Sequence, residues 1–166
     1  MKKGFTLIET LLYMAILSVV IVALSSFLFL SYTSRVKASV IAEVEQQGSQ
    51  TLNLITQNIR NSASITAPAL GNSGASLTLT EYAGANSPTV FDQSGNTMRI
   101  TEGASAAVNI TSNRVVVSNL SFQNLTRFGT PGNVKVSFTL THINPDNRGE
   151  YIYSKNFTAT ASLRYP

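Results

Sequence analysis

The feature that most constrains this chain is a long apolar run near its N-terminus, from Gly4 to Leu30. The run follows a pair of lysines and contains a single charged side chain, the carboxylate of Glu9. From Thr10 to Tyr32 no residue is charged, and as a helix this stretch extends about 35 Å, which is enough to cross a bilayer with some tilt. The run therefore predicts a membrane-spanning helix, and its basic start favours a cytoplasmic N-terminus.

Glu9 lies near the beginning of this apolar run, where a charged group costs roughly 2.5 kcal/mol or more unless it finds a partner. Phe5 and Glu9 are four residues apart, so both lie on the same face of a helix. If the chain were cut after Gly4, the new amino group of Phe5 could pair with the carboxylate of a neighbouring subunit and satisfy both charges. Snorkelling of Glu9 to the lipid headgroups is the alternative interpretation.

An ordinary secretory signal peptide is the alternative to a retained span. The basic start, the apolar core and the small residues around Ala23-Leu24-Ser25 fit such a signal. The apolar core of a signal peptide, however, covers roughly 7–15 residues, and it would not carry a glutamate at its start or continue to Leu30. A retained span is favoured, and the competing hypothesis is an exported β-rich adhesin or binding module released by cleavage near Ser25.

Beyond the span, apolar residues continue at spacings of three and four, with polar residues between them and one gap around Gln47 and Gly48. This pattern is typical of an amphipathic helix with one apolar face. No proline occurs between Phe5 and Ala67, so the sequence predicts one unbroken helix whose amphipathic half covers residues 33–66. The predicted apolar stripe comprises Val36, Val40, Val44, Leu52, Ile55, Ile59 and Ala63.

From residue 67 onward the periodicity changes from 3.6 to 2, after a turn-rich segment that begins at Pro68. Short alternating segments separated by turns predict an antiparallel sheet whose apolar face covers the second half of the helix. The sequence thus predicts an α+β fold, with a long N-terminal helix packed on a C-terminal antiparallel β-sheet head at residues 67–166. The predicted strands are 76–80, 89–91, 97–101, 107–110, 114–122, 134–140 and 151–163.

The composition argues against catalysis and metal binding. The chain has no cysteine, which excludes disulfides, thiolate nucleophiles and cysteine metal sites. The sequence contains no nucleophile-elbow motif, and its single histidine, His142, is interpreted as a surface residue at a strand end. Residues 144–150 are rich in oxygen ligands but lack the alternating acids of an EF-hand loop, so they predict a turn. We therefore expect no enzymatic activity, no catalytic residue, no cofactor and no metal.

The net charge of +4 is too small to indicate nucleic-acid binding by itself. Seven basic residues of the C-terminal region would form a nucleic-acid site only if they shared one face. They alternate with acidic residues along the chain, which favours scattered solubilising charges. These residues are Arg99, Arg114, Arg127, Lys135, Arg148, Lys155 and Arg164.

The segment Gly4-Phe5-Thr6-Leu7-Ile8-Glu9, with its basic leader and apolar span, resembles the processing motif of type IV prepilins and type II secretion pseudopilins. The resemblance implies that a prepilin peptidase removes residues 1–4 and methylates Phe5, and that Glu9 is needed for assembly into a filament. Residues 5–32 would first span the inner membrane and then form the filament core. The implied partners are other pilin or pseudopilin subunits, the peptidase and an inner-membrane assembly platform. The implied location is the bacterial inner membrane before assembly, and the periplasm or a surface pilus afterwards.

Two departures from the family pattern bear on the kind of subunit. Many major pilins carry a helix-breaking proline in the second half of the span, where this chain has Ser26, and many close a C-terminal loop with a disulfide. Segments 89–91, 114–117 and 161–164 also look like those of minor pilins and minor pseudopilins. These observations favour a minor subunit, with a DNA-capturing minor pilin of a competence system as a further alternative.

Overall fold

The computed structural model of the chain describes residue 4, residues 6–82 and residues 86–164. One long helix, α1 (Leu7–Asn61), precedes the strands. The chain divides into two compact units, an N-terminal unit (Met1–Ser39) and a C-terminal unit (Val40–Pro166). The strands are β1 (Ser64–Ala67), β2 (Ser73–Gly74), β3 (Leu77–Thr80), β4 (Thr89–Ser94), β5 (Thr97–Glu102), β6 (Val108–Asn109), β7 (Val115–Asn124), β8 (Asn133–His142) and β9 (Ser154–Ser162).

In the N-terminal unit, α1 is apolar and exposed on all sides. By length and composition it is the one helix among the described residues that could cross a membrane, and none of its most apolar segment is buried. Hydroxyl side chains inside this segment donate to carbonyl oxygens one turn earlier: Ser18 to Ala15, Ser25 to Ile21 and Ser26 to Val22. These hydroxyl groups are therefore satisfied within the helix, as an apolar solvent requires.

In the C-terminal unit the strands form two antiparallel sheets. The first has the order β1-β3-β4-β5-β6 and the second has the order β2-β7-β8-β9. The longest pairings are β7 with β8 and β8 with β9. These three strands follow one another along the chain, and their last residues are Asn124, His142 and Ser162. In both strands of the β7–β8 pair, buried and partly exposed residues alternate, as expected for a sheet with one covered face.

The second half of α1 supplies one wall of the core. Its buried residues recur at spacings of three and four, as a helix packed on a sheet requires. Gly48 completes this buried face because a Cβ at this position would overlap the ring of Phe157 on β9. The buried residues of α1 are Val40, Val44, Gly48, Thr51, Ile55 and Ile59.

The predicted fold class, a long N-terminal helix followed by antiparallel β-structure, is confirmed. The expectation of a single sheet is wrong, since the strands divide into two sheets. The gap in the predicted apolar stripe has a structural reason: the helix face continues through Gly48 and Thr51, a small and a polar residue that are both buried. Leu52, which the stripe included, is only partly buried.

The predicted end of the helix at residue 66 is also wrong, since α1 ends at Asn61. Side chains compete with the backbone at this end: Asn58 donates to the carbonyl of Leu54, and the hydroxyl of Ser62 donates to the carbonyl of Asn58. The amide of Ala63 then bonds to the carbonyl of Thr80, and the chain enters β1. The β-branched residues of β1 favour a strand. The sequence prediction gave more weight to the absence of proline and therefore extended the helix to residue 66.

The strand predictions match most of the observed strands but miss β1 and β2. The predicted strand at 151–163 begins later, because Gly149–Tyr151 forms a short 3-10 turn and β9 starts at Ser154. Asn144 organises this turn: its side chain accepts from the amide of Arg148 and donates to the Arg148 carbonyl. The region at 144–150 is therefore a turn closed by hydrogen bonds within the loop.

Candidate functional site

The candidate site lies in the first turn of α1 and is centred on Glu9. The amides of Glu9 and Thr10 both bond to the carbonyl of Thr6, at 3.1 and 3.2 Å. Thr6, which directly precedes α1, therefore accepts the first backbone hydrogen bonds of the helix. A carboxylate in the first turn interacts favourably with the helix dipole. The local sequence therefore holds Glu9 within a regular helix, near its N-terminal end.

Among the described residues, the carboxylate of Glu9 accepts a hydrogen bond from the side chain of Tyr13. The Tyr13 hydroxyl donates to Oε1 of Glu9 at 3.2 Å, and the two residues are four apart on the same helix face. No basic side chain of the described residues forms an ion pair with Glu9. The sequence interpretation missed Tyr13, although its spacing from Glu9 was a usable signal.

The apolar residues around Glu9 are strongly exposed. Leu7 is 78% exposed and Ile8 is 76% exposed, while Leu11 and Leu12 also show more than half of their surface. Monomeric soluble proteins rarely expose so large an apolar surface, so these residues require lipid or another protein. The site thus combines one carboxylate with an apolar helix that has no cover within the described chain.

The predicted cleavage and methylation residues are only partly described. Gly4 is exposed, and nothing lies within 4 Å of the position that a Cβ would take there. Phe5 lies outside the described residues. An exposed glycine with open space around it is accessible to a peptidase, but the bond between Gly4 and Phe5 stays a prediction.

His142 is not the surface residue that the sequence predicted, since it is only 5% exposed. Its Nδ1 lies 2.7 Å from the carbonyl oxygen of Ile143, and a carbonyl only accepts, so Nδ1 carries a proton. Its Nε2 lies 3.6 Å from Glu43 on α1 and has no hydrogen-bond partner among the described residues. Arg114 also approaches Glu43, at 3.4 Å. The cluster joins α1 to the second sheet.

A second ionic cluster joins α1 to β9. Glu45 accepts hydrogen bonds from Lys155 at 2.8 Å and from the Tyr153 hydroxyl at 3.0 Å. These two donors, Lys155 foremost, lower the pKa of Glu45. The same contact raises the pKa of Lys155, and desolvation together with the bond to Glu45 raises the pKa of Tyr153. The charges of this cluster stabilise the packing of helix against sheet.

Most of the basic residues considered for nucleic-acid binding have acidic partners. Arg99 forms a two-point contact with Asp92, with bonds of 2.9 and 2.7 Å that raise the pKa of Arg99. A paired cation contributes less to a phosphate-binding surface than an unpaired one. The paired residues are Arg99 with Asp92, Arg114 with Glu43, Arg148 with Glu150, and Lys155 with Glu45.

Comparison with known proteins places one segment of the chain in a described family. Residues 1–25 match the family model described as the prokaryotic N-terminal methylation motif. No curated protein and no solved structure matches the chain. The motif implies a membrane-anchored protein that assembles with other pilin subunits and with the assembly machinery, and it suggests a structural role. The chain carries a prepilin-type methylation motif, which indicates the type IV pilin and pseudopilin family.

Proposed function

We propose that this chain is a minor pilin or pseudopilin, a structural subunit of a type IV pilus or of a type II secretion-like filament. A prepilin peptidase cuts it between Gly4 and Phe5 and methylates the new N-terminus. Residues 1–4 are the leader, and residues 5–32 are the membrane span that becomes the filament core. Residues 33–66 join the span to the head, with α1 ending at Asn61, and residues 67–166 form the β-rich head.

The observation that carries this proposal is the position of Glu9. The methylation motif ends at residue 25 and includes this carboxylate, which lies in the first turn of a helix whose apolar side chains are exposed. In lipid a charged group of this kind favours a partner, and the amino group released at Phe5 has the opposite charge. Bonding to Tyr13 restricts the carboxylate to one helix face.

In this mechanism Glu9 favours transfer of the helix from lipid to a filament. Pairing with the amine of a neighbouring subunit removes two isolated charges from an apolar environment, and the apolar side chains of adjacent spans replace lipid around them. Because an ion pair has a fixed length, the pairing also sets the axial register between neighbouring helices.

The test is the intact mass of the protein purified from cells with and without a prepilin peptidase. We expect peptidase-dependent loss of Met1 to Gly4 and gain of one methyl group. Loss of about 25 residues, as an ordinary signal peptidase would produce near Ser25, would contradict the proposal.

A matched pair of variants tests where the cut occurs. Replacing Gly4 with valine puts a β-branched side chain at an exposed position that has open space around it, so folding is unaffected and cleavage should stop. The matched variant is Gly71→Val, at a loop glycine that also has open space around it but has a positive φ. This variant leaves the leader intact, so cleavage should continue. Cleavage of the Gly4→Val variant at the same bond would count against the motif assignment.

A further inference from the structure

Strand β9 is the last strand of the second sheet and has a free outer edge. It is nine residues long, and among the described strands it pairs with β8 alone, along its full length. A free edge presents backbone N–H and C=O groups to other chains, and proteins usually protect such edges with charges, proline or bulges. The edge of β9 has neither proline nor bulge, since its register with β8 is continuous from Ser154 to Ser162. Its one charged residue, Lys155, is paired with Glu45.

Three hydrogen bonds establish which residues of β9 face outward. The amide of His142 bonds to the carbonyl of Tyr153, and the amide of Leu163 bonds to the carbonyl of Gly132, so odd-numbered residues pair with β8. The amide of Arg164 instead bonds to the carbonyl of Arg60, in the last turn of α1. Even-numbered residues therefore direct their backbone groups away from β8, and the end of α1 closes the edge at residue 164.

The outward-facing residues of β9 have small polar side chains. All of them are exposed, and none is charged. Hydroxyl and β-branched side chains favour cross-strand pairing. These residues are Ser154, Asn156, Thr158, Thr160 and Ser162.

The surroundings of this edge are basic. Lys135 is exposed and lies opposite Thr160 in the register of β8 with β9. Near the same end of β9, just beyond Ser162, Arg60 and Arg164 line a polar cavity of about 340 Å³ beside the last two turns of α1. None of these three cations forms an ion pair with a described residue. A strand docked here would meet three positive charges that no described residue neutralises.

We propose that the edge of β9 binds an acidic β-strand of a different protein, by antiparallel addition to the second sheet. The positive charges of Lys135, Arg60 and Arg164 favour carboxylates in that strand. No described edge strand of this chain carries an acidic residue, β9 included, and β1, β2 and β6 are only two to four residues long, so a second copy of this chain is a poor match. An acidic side chain at the end of the partner strand beside Ser162 would enter the cavity between Arg60 and Arg164.

The first test is amide hydrogen exchange of the full chain in detergent micelles. We expect slow exchange at the odd-numbered positions of β9, which bond to β8, and fast exchange at Asn156, Thr158 and Thr160. Equal protection of the odd and even amides would overturn the proposal, because the edge would then already be covered. This measurement does not depend on whether the chain enters a filament.

The second test adds a probe strand to the full chain. A nine-residue strand of alternating valine and threonine, with two glutamates near its start, follows residue 166 through a glycine-serine linker of about ten residues, so that its effective concentration is in the millimolar range. We expect it to slow exchange at the amides of Asn156, Thr158 and Thr160 by at least about ten-fold. The matched probe with two lysines should protect them less, and the difference should shrink in high salt.

Two proline variants test whether the probe strand binds at the outer edge of β9. Thr158→Pro removes an outward amide that β8 does not use, so the fold should persist and protection by the acidic probe should be lost. Ala159→Pro removes an amide that bonds to β8 and should destabilise the C-terminal unit. Absence of protection by the acidic probe in the parent chain, or equal protection by the acidic and basic probes, would overturn the proposal.

Discussion

The two halves of α1 have the same secondary structure but opposite environments. Between Leu7 and Ser39 no residue of the helix is buried, although almost every residue up to Leu30 is apolar. Between Val40 and Ile59, six residues are buried and polar residues occupy the opposite face. The first half must therefore find its cover outside the chain, whereas the second half finds it in the sheets. One continuous helix thus combines a segment that requires partners with a segment that is already satisfied.

The largest expected effect concerns the first half alone. Glu9→Ala removes the proposed partner of the Phe5 amine, and breaking a buried ion pair costs about 3–5 kcal/mol, which corresponds to a loss of about 100-fold or more in assembly. We expect processing to be unchanged and the protein to stay in the membrane, as measured by the fraction recovered in sheared filaments. Tyr13→Phe, which removes only the intrahelical donor, should reduce that fraction less. Normal filament entry by Glu9→Ala would remove the charge-pairing argument.

A matched pair of isoleucines compares the two halves of the helix directly. Ile55 is fully buried, and Ile16 is 56% exposed. Ile55→Ala should lower the free energy of unfolding of the C-terminal unit by about 2–5 kcal/mol, because it leaves a cavity in the core. Ile16→Ala should change it by less than about 0.5 kcal/mol. Denaturant unfolding in detergent, followed by near-ultraviolet circular dichroism, measures both, and equal effects would mean that the two halves do not differ as described.

Gly48 provides a sharper test of the packed half. Gly48→Ala places a methyl group against the ring of Phe157, and overpacking of this kind costs about 1–3 kcal/mol even though alanine favours the helix. Ser49→Ala, at the next and exposed position, should be neutral or slightly stabilising. Thermal unfolding of both variants gives the comparison.

A double variant shows whether the cost at Gly48 comes from Phe157. Phe157→Leu alone should destabilise, but added to Gly48→Ala it should restore part of the loss, because the two residues are in contact. Strict additivity of the two free-energy changes would show that the Gly48 effect has another origin.

The smallest expected effect is the pH dependence of the cluster around Glu45. Its folded-state pKa is lowered from 4.5, so its stabilisation is present above that value and is lost as the pH falls through the lowered pKa. The pKa of Lys155 is raised from 10.5, so its contribution is present below that value and is lost as the pH rises through the raised pKa. Unfolding midpoints of the parent chain and of Glu45→Gln should therefore differ at pH 7 and converge as the pH falls through the lowered pKa of Glu45. A difference that does not shrink as the pH is lowered below 4.5 would contradict this origin.

The fold class followed from periodicity, because the change from a spacing of 3.6 to a spacing of 2 is a property of the sequence alone. The division into two sheets did not, since it depends on which strands pair across long separations. Gly48 and Thr51 show the same limit on a smaller scale. Gly48 is buried against Phe157, and no apolar pattern marks either Gly48 or the buried Thr51.

The candidate site was predictable where its chemistry is local. A carboxylate in an apolar run is unusual in any context, so Glu9 could be singled out without coordinates. The environment of His142 was not predictable, because it depends on Glu43, which is about a hundred residues away in the chain. In both the fold and the site, features that depend on residues close together in the sequence could therefore be predicted, whereas features that depend on distant residues could not.

The contacts between α1 and β9 also have a consequence for synthesis. Glu45 bonds to residues that follow it by 108 and 110 positions, and Gly48 packs on Phe157 in the same strand. A ribosome makes the N-terminal segment first, so Glu45 and Gly48 are without these partners until almost the whole chain has been translated. Contacts this distant along the chain also form slowly. The head is therefore the last part to become native, and a messenger truncated before β9 would yield an anchored but unfolded product for the cell's proteases.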